Sequence, residues 1–279
     1  MKRFTSLTVI GRDRSGVIAR FTNLLFHLGA NIEALEEQVH HGRFSMTLQA
    51  SWPTARFDER TLRARVAELA KELSMDLTLR VLLERAKPRC AVMATKEPHC
   101  IGALLAAKLP CEIALVAGNY RALEPLAKRH GIPFHCIPWA DRARAEERLL
   151  ALLERHQIDF IVLARFMKIL SPNFVWRWKN KIINIHPSLL PSFPGANAYR
   201  QAFEKGVRVA GVTAHFVTPN LDEGPIIWQE SFRVSANDSL MSVVEKGQRL
   251  ESRTLVKAVR LFLQNRFDIY WGKVHERRA

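Results

Sequence analysis

The sequence predicts an α/β protein in two parts: an N-terminal ferredoxin-like βαββαβ domain over residues 1–84, then a doubly wound, mostly parallel α/β domain over residues 85–279. Three observations carry this reading. Strand-like and helix-like segments follow one another in the order β, α, β, β, α, β through the first eighty or so residues. Glu84-Arg-Ala-Lys-Pro-Arg89 is a charged, proline-containing break between two apolar runs. Beyond it, short apolar strands alternate with amphipathic helices, the pattern of parallel βαβ units.

In the first domain, residues 4–10 are rich in strand formers, and Gly11-Arg-Asp-Arg-Ser-Gly16 is a turn that opens a helix. Val17, Phe21, Leu24, Leu25 and Leu28 fall at helical spacing, so the helix spans residues 17–28 and Gly29 ends it. Residues 30–39 and 44–52 read as strands joined by a turn at His41-Gly42-Arg43. A second helix over residues 58–73 buries Leu62, Val66, Leu69 and Leu73, and residues 75–83 supply the last strand. In the second domain the expected strands are 90–94, 113–117, 134–137, 160–163 and 182–185, with helices at 101–108, 121–130 and 144–156. A short helix near 199–205, strands near 209–217 and 226–234, a cap at Asn237-Asp238-Ser239 and a long helix over 240–264 follow. The basic tail from Lys273 is expected to fray.

Composition narrows the class. A chain of 279 residues buries about three-quarters of its unfolded surface, so a proper core is available. Hydrophobic residues at 48% and charged residues at 25% fit a soluble globular protein, and no apolar run reaches membrane-spanning length. Met1-Lys2-Arg3-Phe4 runs straight into a strand pattern without a signal-peptide apolar region, which predicts a cytoplasmic protein. Cys90, Cys100, Cys111 and Cys136 are too widely spaced for a Cys-x-x-Cys metal or redox motif and read as reduced core residues; no metal is expected. The net charge of +15 favours anionic ligands. Its basic residues are interleaved with acidic ones, as in Arg142-Ala-Arg-Ala-Glu-Glu-Arg148, with no aromatic-and-basic stripe, which argues against nucleic acid.

Two segments carry the chemistry. In Lys181-Ile-Ile-Asn-Ile-His-Pro-Ser-Leu-Leu-Pro-Ser-Phe-Pro-Gly195, strand alternation puts Asn184 and His186 on one face, and Pro187 stops the ladder. An amide and an imidazole thus stand at the carboxyl end of an apolar strand, where open α/β sheets hold ligands. Taken alone, the pair reads as a capped strand end. The second segment, residues 211–227, adds Asp222 in a loop before Gly224-Pro225; by itself it reads as a turn-stabilising residue. Together an amide, an imidazole and a carboxylate suffice for hydrolytic or acyl-transfer chemistry without a metal. Ala94-Thr-Lys-Glu-Pro-His-Cys100 offers no glycine-rich phosphate cradle, so a nucleotide cofactor is disfavoured, and none is expected. His99, His135 and His215 read as structural histidines, His215 lying nearest the motif.

Gly11-Arg-Asp-Arg-Ser-Gly-Val-Ile-Ala19 with Leu28-Gly-Ala-Asn-Ile32 resembles an ACT domain. The resemblance implies an amino-acid effector or a subunit contact near Gly16, Asn31 and Ile32, and hence a homo-oligomer; on their own, Gly16 fits a tight turn and Asn31 a strand cap. Asn-Ile-His-Pro-Ser-Leu-Leu-Pro followed by Leu-Asp-Glu-Gly-Pro-Ile-Ile resembles the folate-dependent formyltransferase family, and Leu163-Ala-Arg-Phe-Met-Lys-Ile-Leu-Ser171 looks like its folate-pocket segment. That likeness implies folate contacts from Phe166, Met167, Lys168, Ile169, Leu170 and Pro219, although by composition the apolar ones read as core. Within the family, an ACT domain ahead of the formyltransferase domain is the arrangement of the formyltetrahydrofolate deformylases. It implies hydrolysis of 10-formyltetrahydrofolate as a substrate, one-carbon pool control and formate for purine biosynthesis. Pro187 departs from the His usual there and matches glycinamide ribonucleotide formyltransferases, whereas the missing glycine-rich loop departs from those. Formyl transfer to an amine such as glycinamide ribonucleotide, and a non-catalytic ACT-type sensor, therefore stand as alternatives. A tRNA-directed formyltransferase is less well matched, for want of a further barrel-like domain. In the implied mechanism Asn184 and His186 stabilise the oxyanion, His186 protonates the departing nitrogen, and Asp222 supports the imidazolium and positions water.

Overall fold

Period-two and period-3.6 patterns assemble into two units, Met1–Ala86 and Lys87–Ala279, in the computed structural model of the chain. It describes residues 2–40, 42–82, 87–270 and 272–276. His41 of the expected turn, Leu83, and residues 84–86 of the expected interdomain break lie outside the described residues.

The first unit runs β1 (Lys2–Arg12), α1 (Val17–His27), β2 (Asn31–His40), β3 (Arg43–Pro53), α2 (Glu59–Glu72) and β4 (Asp76–Leu82). Its antiparallel sheet has the order β2-β3-β1-β4, as the βαββαβ plan requires. Leu7 and Val9 of β1 with Met46, Leu48 and Ala50 of β3 alternate with polar neighbours and meet Val17, Phe21 and Leu25 of α1 and Leu62, Val66 and Leu69 of α2 in one core. Gly29 N–H donates to Phe26 O at 2.9 Å and Ala30 N–H to Leu25 O at 3.0 Å, so α1 ends in a Schellman pair where Gly29 is expected to stop it. Asp58 caps α2 by accepting the Thr61 N–H at 3.1 Å, a contact worth about 1 kcal/mol.

The second unit begins with β5 (Arg89–Ala94), α3 (His99–Ala106), β6 (Glu112–Gly118), α4 (Glu124–Arg129), β7 (Phe134–Cys136), α5 (Arg142–Arg155) and β8 (Phe160–Leu163). It continues with α6 (Pro172–Arg177), β9 (Ile182–His186), α7 (Ala198–Glu204), β10 (Val209–Phe216), β11 (Ile226–Arg233), α8 (Leu240–Leu263), β12 (Phe267–Tyr270) and β13 (Lys273–Glu276). The main sheet is ordered β11-β10-β9-β8-β5-β6-β7. From β7 through β9 neighbouring strands are parallel; β10 and β11 are antiparallel additions. The chain leaves β5 towards β6 and β7 and then returns to β8 on its other side, so the strand order reverses between β5 and β8. Ligands of such sheets sit outside the carboxyl ends of the strands at this reversal. One face is covered by α3, α4 and α8, whose Ile101, Ala127 and Leu255 share a core with Val92 and Ile183. On the other face Leu149 of α5 and Phe174 of α6 pack on Met93 and Ile182.

Two features differ from the sequence reading. The helix α6 has a serine cap, Ser171 accepting the Phe174 N–H at 3.2 Å, and Pro172 in its first turn; six residues are too few to display a 3.6-residue repeat. The tail is not frayed from Lys273, because Lys273–Glu276 pair with Phe267–Tyr270 as a hairpin. Phe267 anchors it: the ring is buried 5.8 Å from that of Phe216, and Ile269 and Val274 pack on the same core. Residues 271 and 277–279 lie outside the described residues. All four cysteines are free, and burial pushes the thiols of Cys90 and Cys100 well up, which suppresses the reactive thiolate. No described helix is long and apolar enough to cross a membrane.

Candidate active site

Alternation along β9 sorts its side chains as expected. Ile183 and Ile185 enter the core under α8, whereas Asn184 and His186 face a cleft on the other side. That cleft, of ≈ 610 Å³, opens at the carboxyl ends of β8 and β9. Residues 165–170 form one wall, and Asn184, His186, His215, Pro219 and Asp222 line the opposite parts.

The three residues singled out as catalytic meet here. His186 Nδ1 lies 3.3 Å from Asp222 Oδ2, with both side chains almost fully buried. His186 Nε2 lies 3.0 Å from the Phe193 carbonyl, so each ring nitrogen faces an acceptor. The Gly195 N–H donates to Asp222 Oδ2 at 2.8 Å. Asp222 adopts a left-handed conformation, φ 57°, tolerated best by Asp and Asn among side-chain-bearing residues. Two residues on, a Cβ at Gly224 would stand 1.7 Å from the Phe216 carbonyl oxygen, so only glycine lets the loop lie against β10.

His215, expected to be structural, belongs to this cluster. It sits directly opposite Asn184 in the β9–β10 ladder. Its Nδ1 lies 2.8 Å from the Phe216 carbonyl, which can only accept, so the ring proton sits on Nδ1 and Nε2 accepts from Asn184 Nδ2 at 3.2 Å. That bond orients the Asn184 amide and leaves its second N–H for a ligand. His215 Nε2 is also 3.8 Å from Asp222 Oδ1. Burial holds the His215 pKa below its ordinary value, against the opposing pull of the Phe216 carbonyl and Asp222. The sign of its effect on stability follows. The unfolded chain takes up this proton first, near pH ~6.5, so His215's contribution is complete above that pH and lost as pH falls through the depressed folded value. In urea unfolding measured from about pH 8 to pH 5, His215→Gln is expected to flatten the acid-side decline in stability. His135 and His156, whose pKa values burial also lowers, leave a residual slope. An unchanged slope in the variant would contradict the neutral assignment.

The implied folate segment lines the cleft, but not as core throughout. Phe166 and Leu170 are buried, Phe166 with its ring 5.1 Å from that of Trp139, and Lys168 is half-buried. Met167 and Ile169 are 51% and 59% exposed, which corrects the compositional reading of them as core residues. The segment is pinned at both ends. Met167 N–H donates to Thr95 Oγ1 at 2.9 Å, and the buried Glu146 of α5 accepts from the Ser171 N–H at 2.6 Å and from its hydroxyl.

Under the cleft lies a charged network that the sequence reading missed. Glu251 of α8 is fully buried; Oε1 accepts from Tyr199 Oη at 2.8 Å, while Oε2 faces His99 Nε2 at 3.0 Å and Arg165 Nε at 3.5 Å. Arg165 also pairs with Glu97 at 3.0 Å. His99 is thus tied to the cleft's floor, whereas His135 packs edge-on against His156. In the first unit, Gly16 precedes α1 at φ 85° and is exposed, Asn31 at the start of β2 donates to Glu33 Oε1 at 3.0 Å, and Ile32 packs on that unit's core.

Comparison with known proteins places this geometry. Residues 88–259 match the formyl transferase family model and residues 5–80 an ACT domain model. A formyltetrahydrofolate deformylase of Synechocystis is 37% identical over 273 residues, covering 95% of each chain. The chain belongs to the formyltetrahydrofolate deformylase family. Another member, from Escherichia coli K12, is 38% identical over 275 residues, 96% of each chain. A crystal structure of the deformylase from Pseudomonas syringae pv. tomato superposes with a TM-score of 0.67 at 34% identity, covering 99% of this chain and 94% of that one. A glycinamide ribonucleotide transformylase from Symbiobacterium toebii reaches 0.65 at 32% identity, but covers only 71% of this chain while using 97% of its own. Deformylases therefore match both units, while this transformylase matches a portion of the chain.

Proposed function

We infer that the protein hydrolyses 10-formyltetrahydrofolate to formate and tetrahydrofolate. The observation that carries this is the full-length match to deformylases, ACT unit included, in a chain whose cleft gathers Asn184, His186 and Asp222. The apolar wall at residues 165–170, with Pro219, takes the folate ring system.

In this reaction water forms a bond to the formyl carbon, the carbon–N10 bond breaks, and N10 takes a proton. Asp222 orients the water and accepts its proton. The second N–H of Asn184 donates to the oxyanion that forms on the formyl oxygen, an interaction worth about 10²–10³ in rate. His186 supplies the proton to N10. With Nε2 on the Phe193 carbonyl, it does so by exchanging that acceptor for the substrate. Water is the co-substrate, and the scheme needs no cofactor.

Formyl transfer to an amine is the second reading, favoured by Pro187 and by the likeness to the transformylase. Incubating the protein with 10-formyltetrahydrofolate and no added amine separates the two. Formate release is expected; tetrahydrofolate formed only when an amine is supplied, with the formyl group carried on the amine and no free formate, would establish transfer, and no turnover under either condition a non-catalytic sensor. The finer features of the proposal are an amino-acid effector at Gly16, Asn31 and Ile32, a homo-oligomer, cytoplasmic action and formate supply to purine synthesis.

A further inference from the structure

Between β9 and α7 the chain runs without helix or strand, yet two backbone groups of this loop hold the side chains assigned to catalysis. The Phe193 carbonyl stands 3.0 Å from His186 Nε2, and the Gly195 N–H donates to Asp222 Oδ2 at 2.8 Å. Phe193 has φ 53°, a left-handed conformation that a bulky residue keeps only where its surroundings impose it. The path of the loop therefore sets where His186 and Asp222 stand.

A side chain of the neighbouring strand fixes that path. Register aligns His186 of β9, Thr213 of β10 and Gln229 of β11 directly opposite one another across the sheet. Thr213 is fully buried. Its hydroxyl donates to the Ser188 carbonyl at 2.7 Å and accepts from the Leu190 N–H at 3.0 Å and from Gln229 Nε2 at 2.9 Å, so its one proton and both lone pairs are used. Gln229 Nε2 also reaches the Leu190 carbonyl at 3.0 Å. Within the loop, Ser188 Oγ donates to the Ser192 carbonyl at 2.5 Å, and the Ser192 N–H to the Leu189 carbonyl at 2.9 Å. One hydroxyl thus ties down Ser188 and Leu190, and Ser188 passes that hold to Ser192, the neighbour of Phe193. Thr213, Ser188 and Gln229 do not line the cleft, so they act on the reaction only through other residues. We propose that Thr213 is a positioning residue for the hydrolysis: through residues 188–195 it holds the Phe193 carbonyl against His186 and the Gly195 N–H against Asp222. The proposal rests on the catalytic reading of His186 and Asp222.

The test compares the wild-type chain with Thr213→Val, which keeps the shape and removes the hydroxyl, Thr213→Ser, which keeps the hydroxyl, and Gln229→Leu. Gln229 is exposed, so its variant removes one donor to Thr213 at little risk to folding and decides the question if Thr213→Val does not fold. With 10-formyltetrahydrofolate, Thr213→Val is expected to lower kcat by about 10–100-fold, the scale for a small misplacement of reacting groups, while KM changes by less than about threefold. Thr213→Ser should restore most of that loss, and Gln229→Leu should lower kcat less than Thr213→Val does. The ¹⁵N resonance of His186 Nε2, recorded on the full chain without substrate, is expected to move in Thr213→Val and Gln229→Leu and to return in Thr213→Ser. A resonance that stays in place, a kcat that does not fall, a loss shared equally by kcat and KM, or a Thr213→Ser protein as impaired as Thr213→Val would each overturn the proposal. Wild-type protein that releases no formate would instead refute the hydrolysis reading, and the resonance comparison, which needs no turnover, would still decide whether Thr213 places His186.

Discussion

Asp222→Asn is expected to lower kcat by about 10²–10⁴, the range for loss of a positioned general base, while folate affinity changes by less than about threefold, under ~0.7 kcal/mol. The substitution is isosteric, and its amide oxygen still accepts the Gly195 N–H, so the loop that carries it is retained. What disappears is the negative charge 3.3 Å from His186 Nδ1, and with it the proton acceptor that the proposed mechanism assigns to the attacking water. Two readouts separate this from a structural effect. Because Asp222 pulls the His215 pKa upward against burial, removing its charge is expected to depress that pKa further, visible in the imidazole NMR titration. Steady-state kinetics give the other: a loss shared equally between turnover and affinity would assign Asp222 to binding, and near-normal turnover would remove it from the mechanism.

The same residues show how far sequence reasoning reaches. Local periodicity places Asn184 and His186 on one face of β9, because alternation along a strand depends on nothing beyond the strand itself. Joining His215 to them needs the register of β10 against β9, and no local pattern reveals that. Exposure of Met167 and Ile169 was equally hidden, since an apolar loop segment looks the same in sequence whether it fills a core or lines a cleft. Glu251 left a detectable trace. On α8 it falls within the stripe Gly247, Leu250, Glu251, Thr254, Leu255 and Ala258, all buried. A carboxylate inside an apolar helical face needs a buried partner, and the sequence does not say that Tyr199, His99 and Arg165 would supply it. The helices themselves were legible where Asp58 and Ser239 cap them, and α6 was overlooked although Ser171-Pro172 announces its start.

The network also joins stability to the site. Arg165 lies two residues beyond the end of β8 and opens the cleft wall of residues 165–170, in a left-handed conformation at φ 62°, so whatever fixes its guanidinium helps fix that wall. Glu251 does that from α8, and Gly247, one turn earlier, leaves room for the Tyr199 ring, which a Cβ there would approach to 2.1 Å. Burial, reinforced by the Glu251 charge, drives the Tyr199 phenol well above its ordinary pKa and keeps it a hydrogen-bond donor.

Glu251→Ala should therefore be among the most damaging single changes in the second unit. It leaves the Arg165 cation with only Glu97 and takes the buried acceptor from the Tyr199 hydroxyl and a ring nitrogen of His99. Removing one partner of a buried pair costs about 3–5 kcal/mol, which for a unit of this size lowers Tm by roughly 6–20 °C. Glu251→Gln keeps an acceptor for Tyr199 and loses only the charge, so a smaller drop is expected, and Tyr199→Phe, which removes one hydrogen bond, should cost about 1–2 kcal/mol. Calorimetric unfolding of the three variants should rank them in that order, with Glu251→Ala also raising KM for the folate as the segment from Arg165 to Leu170 loses its anchor. A Glu251→Ala protein melting within about 2 °C of wild type, less than ~1 kcal/mol, would mean that water or Glu97 compensates Arg165 fully and that the network does not hold the cleft's wall.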